Sequence, residues 1–205
     1  ENKLTVYEVA RRIGSGERRL APVKVTIPEG FTAPEMAQVF ASKLVKFDTE
    51  KFLLKAQEFE GSLFPDTYFF FTDDDEEKVI KSMRDNFEKK VALLRPQIIS
   101  SGKSEEDIII MASIVEGEAQ GEQDRAYVAG ILWKRISMGM PLQVDVALET
   151  YKMRGLPKNP VGNPGLKAII ATIHPQKSSY LYYLHDKSGG IHYAKTFAEH
   201  RTNIV

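Results

Sequence analysis

Two carboxylates stand two residues apart at the end of an apolar run. The stretch IIIMASIV (108–115) leads straight into Glu116, then Gly117, then Glu118. A carboxyl group held where water is scarce can carry a proton as a general acid and take one back as a base. Both glutamates fall at the C-terminal end of the expected helix. There the negative end of the macrodipole and a low dielectric each push a carboxyl group towards its protonated form. On a helical wheel Glu116 lies between Ala112 and Ile109, and Glu118 points towards Met111 and Ile114. The helix is too uniformly apolar for the wheel to choose between the two carboxylates, and a solvated helix end explains either of them equally simply.

The other residue types that carry chemistry give less. All four histidines lie late in the chain, at His174, His185, His192 and His200. Their spacing fits no H-E-x-x-H or related metal pattern, so they read as hydrogen-bonded or surface residues and no metal site is expected. There is no G-x-S-x-G, no P-loop and no G-x-G-x-x-G. GSG at 14–16 lacks a following helix and reads as a turn.

The elements that must position these groups follow from periodicity and punctuation. Residues 4–13 partly alternate and read as a strand, and 14–19 as a turn. A short strand begins near Lys24, and a Pro-Glu-Gly turn leads to a helix capped by Thr32 with Glu35 three residues on. Asp48 or Thr49 caps a second helix running to Phe59. An aromatic strand is expected over 67–72. A charged helix opens at 73–75, keeps its apolar spacing through Leu94 and ends at Pro96. Ser104 opens the apolar helix, and a further one runs from Asp124 to Met138 with Gly139 as its C-cap. Residues 139–165 are a loop rich in Pro, Asn and Gly, of the kind that builds clefts. Asn163 and Pro164 are the expected cap and first turn of a helix to about Ile173. SYLYYLHD and GIHYAK form a β-hairpin, and Thr196 with Glu199 caps a last turn.

The chain has 205 residues, 42% hydrophobic and 27% charged, enough for one good domain or a domain with a small appendage. Lys+Arg and Asp+Glu are 28 each. A net charge of zero argues against nucleic acid or an anionic membrane surface as the main partner. There is no cysteine, so disulfides and thiolate metal sites are excluded. No segment approaches the roughly 20 apolar residues of a membrane span. The expected fold class is α+β. A strand or linker region covers 1–23, a small β-α subdomain 24–60 and a mixed helical and β domain 61–205.

Several segments, in order, resemble one family, the YceG-like endolytic murein transglycosylases. They are EGSLFPDTY (60–68), ASIVEGEA (112–119), DRAYVAGILWKRISMGMPLQVD (124–145), GLPKNPVGNPG (155–165) and IHYAKTFAEH (191–200). The resemblance runs from about residue 24 to the end. It implies an enzyme that cuts the β-1,4 bond between N-acetylmuramic acid and N-acetylglucosamine inside glycan strands and leaves a 1,6-anhydro-muramyl end. It aligns the catalytic glutamate with Glu116, as general acid and then base, and implies no cofactor. A hydrolytic glycosidase commonly needs two carboxylates. A transglycosylase works with one, because the sugar's own 6-hydroxyl attacks in place of water, with the advantage of an intramolecular reaction.

By the same resemblance Gln143, Asp145, Asn163, His192, Glu199 and His200 fall in or beside the cleft, as sugar hydrogen-bonders or wall supports. Glu118 joins them as a substrate-binding group, and Tyr68 and Tyr151 are stacking platforms for sugar faces. Residues 24–60 resemble a LysM-like subdomain. The family implies peptidoglycan strands as substrate and peptidoglycan synthases as partners. It also implies a single N-terminal transmembrane helix that holds the enzyme outside the cytoplasmic membrane. Two features depart from the pattern. Only VALE (146–149) separates the LQVD and TYKMRGLP motifs, where relatives carry a longer segment that could act as a lid. Gly117 stands where they have Lys or a similar polar residue. A glycan-binding module that recruits synthases is the second reading. A cytoplasmic lyase of the aminodeoxychorismate type is the third, and no lysine is nominated for the pyridoxal phosphate it would need.

Overall fold

A computed structural model describes residues 5–7, 10, 21–119, 121–186 and 189–203, without the side chains of 122 and 123. The turn expected over 14–19 lies outside them. Val6, Tyr7 and Ala10 are helical, so the strand expected over 4–13 is not formed at these positions. The described strands are β1 (Val23–Thr26), β2 (Thr67–Phe70), β3 (Tyr182–His185) and β4 (Ile191–Ala194). The labelled helices are α1 (Ala33–Ala41), α2 (Thr49–Ala56), α3 (Glu76–Ala92), α4 (Arg95–Ser101), α5 (Glu105–Glu118), α6 (Glu122–Ser137), α7 (Leu166–Ile173) and α8 (Phe197–Thr202). Short 3-10 turns occupy Gln57–Phe59 and Leu148–Tyr151. The sheets are two antiparallel pairs, β1 with β2 and β3 with β4, which makes the fold α+β.

Most helix starts obey their local signals. The Thr32 N–H and Oγ1 both donate to Glu35 Oε2, at 2.8 and 2.7 Å. Asp48, Asp75 and Ser104 each accept a first-turn N–H. Two starts differ from expectation. The charged helix does stop before Pro96, but Pro96 then sits in the first turn of α4, where a missing N–H costs nothing. Gly165, not Asn163, caps α7.

Three apolar clusters make the core. The first joins β1, α1, α2, β2 and the front of α3 through Val25, Met36, Phe40, Phe52, Phe70 and Met83. The expected boundary at residue 60 falls inside it, because β1 pairs with β2 from Val23–Phe70 to Thr26–Thr67. The other two clusters share α5. Ile108, Ile109 and Ala112 pack with α3, α4 and α7. Ile110, Met111, Ile114 and Val115 pack with α6 and the 142–147 turn. That division explains a helix apolar on every side: all eight residues from Ile108 to Val115 are buried. Burying each large one is worth about 1.5–3 kcal/mol, so α5 is the fixed axis from which its last turn emerges. No described helix is long and apolar enough to cross a membrane.

Candidate active site

Glu116 and Glu118 leave the last turn of α5 in different directions. A helix advances about 100° per residue, so two positions apart means roughly 200° around the axis. Each carboxylate therefore meets a different part of the chain.

Glu116 turns inward. Its side chain is 5% exposed and its Oε1 accepts from Arg125 Nη2 at 2.7 Å. Its Oε2 accepts the peptide N–H of Gly165 at 2.9 Å. Gly165 opens α7, so the positive end of that helix faces the carboxylate. The tip of the turn after β1 closes over the pair. Glu29 Oε2 lies 3.9 Å from Arg125 Nη2. Burial, then the charge of Glu116, raise the Glu29 carboxyl above its ordinary value, while Arg125 and Lys167 oppose the shift. A Cβ on Gly165 would fall 1.9 Å from Glu29 Oε1, and one on Gly162 would fall 2.4 Å from the Gly30 carbonyl. At Gly162 the two backbones approach as closely as only glycine permits, and at Gly165 the glycine leaves room for the Glu29 side chain.

Glu118 turns outward, into a cavity of about 520 Å³ that it lines with Arg135, Gln143, Asp145 and Tyr151 on one side and β3, Phe197 and His200 on the other. Its Oε1 accepts the peptide N–H groups of Asp145 and Val146 at 3.1 and 3.4 Å. Its Oε2 accepts from the Tyr183 hydroxyl at 3.0 Å. Burial first, and then the Glu118 charge, hold that hydroxyl well above the usual tyrosine range. Tyr151 donates to Asp145 Oδ1 at 2.7 Å, which raises its own pKa. Arg135 is 5% exposed and donates to Gln143 Oε1 at 2.7 Å. It also lies 5.4 Å from the centre of the Tyr182 ring. Gln143 has a φ of 51°, the left-handed region, and is alone in this among described non-glycine residues. Strained backbone of this kind collects at functional sites. On the far wall Tyr182 stacks on His200 at 5.4 Å and leans on Phe197 at 5.9 Å.

The structure thus brings Glu118, Gln143, Asp145, Tyr151 and His200 together, and leaves the other expected site residues outside the cavity. Glu116 is not among the residues lining this cavity; its two oxygens accept from Arg125 and Gly165. Asn163 is fully buried and works as a clamp between the two ends of the chain. Its Oδ1 accepts the Leu63 N–H at 2.9 Å, and its Nδ2 donates to the Phe31 carbonyl and to Glu60 Oε1 at 3.0 and 2.5 Å. Tyr68 is half-buried against Phe70, takes a hydrogen bond from Asn86 and is pushed up to about 12 by burial. His192 is exposed and pairs with Asp186 at 2.7 Å. Glu199 accepts the Lys195 N–H at 2.8 Å, which is a cap and not a wall of the cavity.

Sequence reasoning missed Arg125, Arg135, Tyr182, Tyr183, His185 and Phe197. Arg135 carried a usable signal, since a lone arginine among apolar positions late in α6 needs a buried partner. Tyr183 and His185 carried another, because alternation puts both on one face of β3. Among the described residues no group of three or more His, Cys, Asp or Glu is arranged to hold a metal ion. A carboxyl group beside a polar cavity with aromatic walls can exchange a proton with a bound sugar.

Comparison with known proteins gives a consistent result. A family model described as the YceG-like family matches residues 1–149 and 147–205. The endolytic murein transglycosylase of Bacillus subtilis (strain 168) is 26% identical over 94% of this chain and 67% of its own length. That of Streptococcus pneumoniae (strain R6) is 28% identical over 88% of this chain. The chain spans 44% of the pneumococcal protein. Both alignments run over 241 positions, more than the 205 residues of this chain, so the relatives carry extra residues inside the matched region. The break in the family match falls at 147–149, in the short VALE connection. The crystal structure of a protein from Listeria monocytogenes described as yceG-like superposes with a TM-score of 0.80 at 25% identity, over 98% of this chain and 81% of that one.

Proposed function

The chain belongs to the YceG-like family, and from that premise we propose that it is a peptidoglycan lytic transglycosylase acting within glycan strands. The names of its relatives, endolytic murein transglycosylases, support the substrate and the reaction class. The observation that carries the reading is the last turn of α5, which holds Glu116 against Arg125 and the start of α7 and sets Glu118 in the wall of a cavity of about 520 Å³.

The chemistry needs one carboxyl group. Glu116, protonated, donates to the oxygen that links muramic acid C1 to the next N-acetylglucosamine, and the C1–O bond breaks. The resulting carboxylate takes the proton of the muramic acid 6-hydroxyl, whose oxygen bonds to C1 and closes the 1,6-anhydro ring. Glu116 ends protonated as it began, and no water is consumed. Positioning the 6-hydroxyl within the same sugar supplies the effective concentration that a separate nucleophile lacks. Tyr151, Tyr182 and Phe197 offer apolar faces to sugar rings, and Gln143, Asp145 and Arg135 offer polar groups to their hydroxyl and acetamido substituents. Glu118 is a substrate-binding group beside them, held by the 145–146 turn and the Tyr183 hydroxyl.

On this reading the chain works outside the cytoplasmic membrane, tethered through an N-terminal helix, beside the synthases that extend the strands. The LysM-like unit at 24–60 adds contacts to the glycan. The test is mass spectrometry of purified glycan strands incubated with the chain and with Glu116→Gln. Internal cuts with anhydro-muramyl ends from the parent alone support the proposal. Reducing ends would mean a hydrolase. Binding without cleavage by either protein would favour a glycan-binding module.

A further inference from the structure

A guanidinium is charged at every pH a protein meets, so a buried one needs an anion beside it at all times. Arg125 is such a group, with its side chain 14% exposed and Glu116 as its near partner at 2.7 Å. A general acid must be neutral before it gives its proton, and neutral again once it has taken one back. In that state Glu116 offers Arg125 no charge. With no other anion at hand, a guanidinium favours the ionised form of its carboxyl neighbour. A carboxylate has no proton to give to a glycosidic oxygen.

The first core cluster supplies another anion. Glu29 lies at the tip of the turn after β1, and its Oε2 is 3.9 Å from the same Nη2 that reaches Glu116. Backbone contacts aim it there. The Gly30 N–H donates to the Asn163 carbonyl at 2.8 Å, and the Asn163 N–H donates to the Phe31 carbonyl at 3.0 Å. The turn is thereby stitched to the segment that opens α7. Gly30 has a φ of 83°, and a Cβ on it would lie 3.5 Å from Glu116 Cγ, so the turn folds back over the end of α5. The charged groups that act on Glu29 are Glu116 from α5, Arg125 from α6 and Lys167 from α7. Burial and then the Glu116 charge push its carboxyl up, and the two cations oppose that. Two carboxylates thus face one guanidinium.

We propose that Glu29 is the counter-charge of Arg125 while Glu116 carries its proton, and is therefore a positioning residue for proton transfer. The inference rests on the reading of Glu116 as general acid and base. Glu29 touches no reacting atom and acts through Arg125. When Glu116 gives its proton to the glycosidic oxygen, Arg125 pairs with the new carboxylate, the arrangement in the structure. When Glu116 takes the proton of the 6-hydroxyl, Arg125 turns to Glu29. No proton is gained or lost by Glu29 in the cycle.

The test is the pH profile of glycan-strand cleavage by the full chain, by Glu29→Gln and by Glu29→Asp. Glutamine keeps the size of the side chain and removes its charge. The Glu29 side chain is 45% exposed, so neither change opens a buried cavity, and thermal unfolding checks that both variants are folded in the assay. Glu29→Gln is expected to move the alkaline limb of kcat/KM to lower pH. At neutral pH this costs about ten-fold, part of the about 10²–10⁴-fold that general acid–base catalysis contributes. The loss is recovered as the pH is lowered. Glu29→Asp keeps an anion near Arg125, and Coulomb attraction falls only as the inverse of distance, so its limb stays close to that of the parent. A merely structural Glu29 predicts a loss equal at every pH. That outcome overturns the proposal, as does a Glu29→Gln profile matching the parent or an aspartate variant that behaves like the glutamine one. If the parent cuts no strands, the proposed function fails. A carbon-13 NMR titration of the Glu116 carboxyl then decides the coupling alone: a midpoint moved to lower pH in Glu29→Gln supports it, and an unmoved midpoint refutes it.

Discussion

Replacing Glu116 by glutamine should cost chemistry and stability together, and replacing Glu118 should cost little of either. The Glu116 side chain is 5% exposed and that of Arg125 14%. Removing one partner of such a pair costs about 3–5 kcal/mol, because the other charge stays buried without compensation. Glutamine keeps one oxygen for Arg125 but turns an amide N–H₂ towards the Gly165 N–H, donor against donor. A cost near the lower bound, about 3 kcal/mol, is therefore reasonable. For a chain of this size each kcal/mol lowers the melting temperature by about 2–4 °C, so Glu116→Gln should melt about 6–12 °C below the parent. Glu118 is only half-buried. Its glutamine keeps Oε1 for both backbone donors, and the Tyr183 hydroxyl can rotate to accept from the new amide. One neutral hydrogen bond exchanged for another costs about 1 kcal/mol or less, which is a few degrees. Its activity should change little, whereas that of Glu116→Gln should fall by about 10²-fold or more, the usual contribution of a general acid and base. The assay pairs thermal unfolding by circular dichroism with release of anhydro-ended fragments at a temperature where both variants are folded. If Glu116→Gln, folded at the assay temperature, cleaves like the parent while Glu118→Gln cleaves nothing, the two roles are reversed and the assignment fails.

Two further outcomes follow from single contacts. Glu60 accepts from the Ala33 N–H and from Asn163, yet burial outweighs both and raises its carboxyl above the ordinary 4.5. The folded chain then holds that proton more tightly than the unfolded one, so stability falls as pH climbs from 4.5 through the raised value. Glu60→Gln should flatten the melting profile in that window, and a difference from the parent that stays constant with pH would refute it. At Gly130 a Cβ would fall 2.1 Å from the Gln176 carbonyl oxygen, a backbone atom that cannot swing aside. Gly130→Ala, normally worth about 0.5–1 kcal/mol to a helix, should here cost about 1–3 kcal/mol from overpacking, and a raised melting temperature would count against the close packing of α6 on the 175–178 segment.

Local signals in this chain were good guides wherever the cause is local. The capping pairs at Thr32, Asp48 and Ser104 form because donor and acceptor are three residues apart. The hairpin of β3 and β4 forms in the expected place, with Tyr182 opposite Ala194. Where the cause is distant, local reading failed. Asn163 looked like a helix cap but bonds to Leu63, Phe31 and Glu60, about a hundred residues away or more. The place of Tyr68 is set at a distance as well, with its ring on Phe70 and its hydroxyl accepting from Asn86.

The sequence by itself determined the order of elements, the buried axis from Ile108 to Val115, and the presence of two carboxylates at its end. It also carried the motifs that place the chain in its family. Which carboxylate faces the cavity was decided only by tertiary structure. On an all-apolar helix, periodicity names no exposed face, since the moment that would orient it cancels. Orientation came instead from what the rest of the chain delivered to each side. Arg125 and the start of α7 close over Glu116, while Tyr183 and the 145–146 turn leave Glu118 beside open space. Two residues of separation turn a side chain about 200° around a helix, and that angle separates an ion pair with Arg125 from a group in the cavity wall.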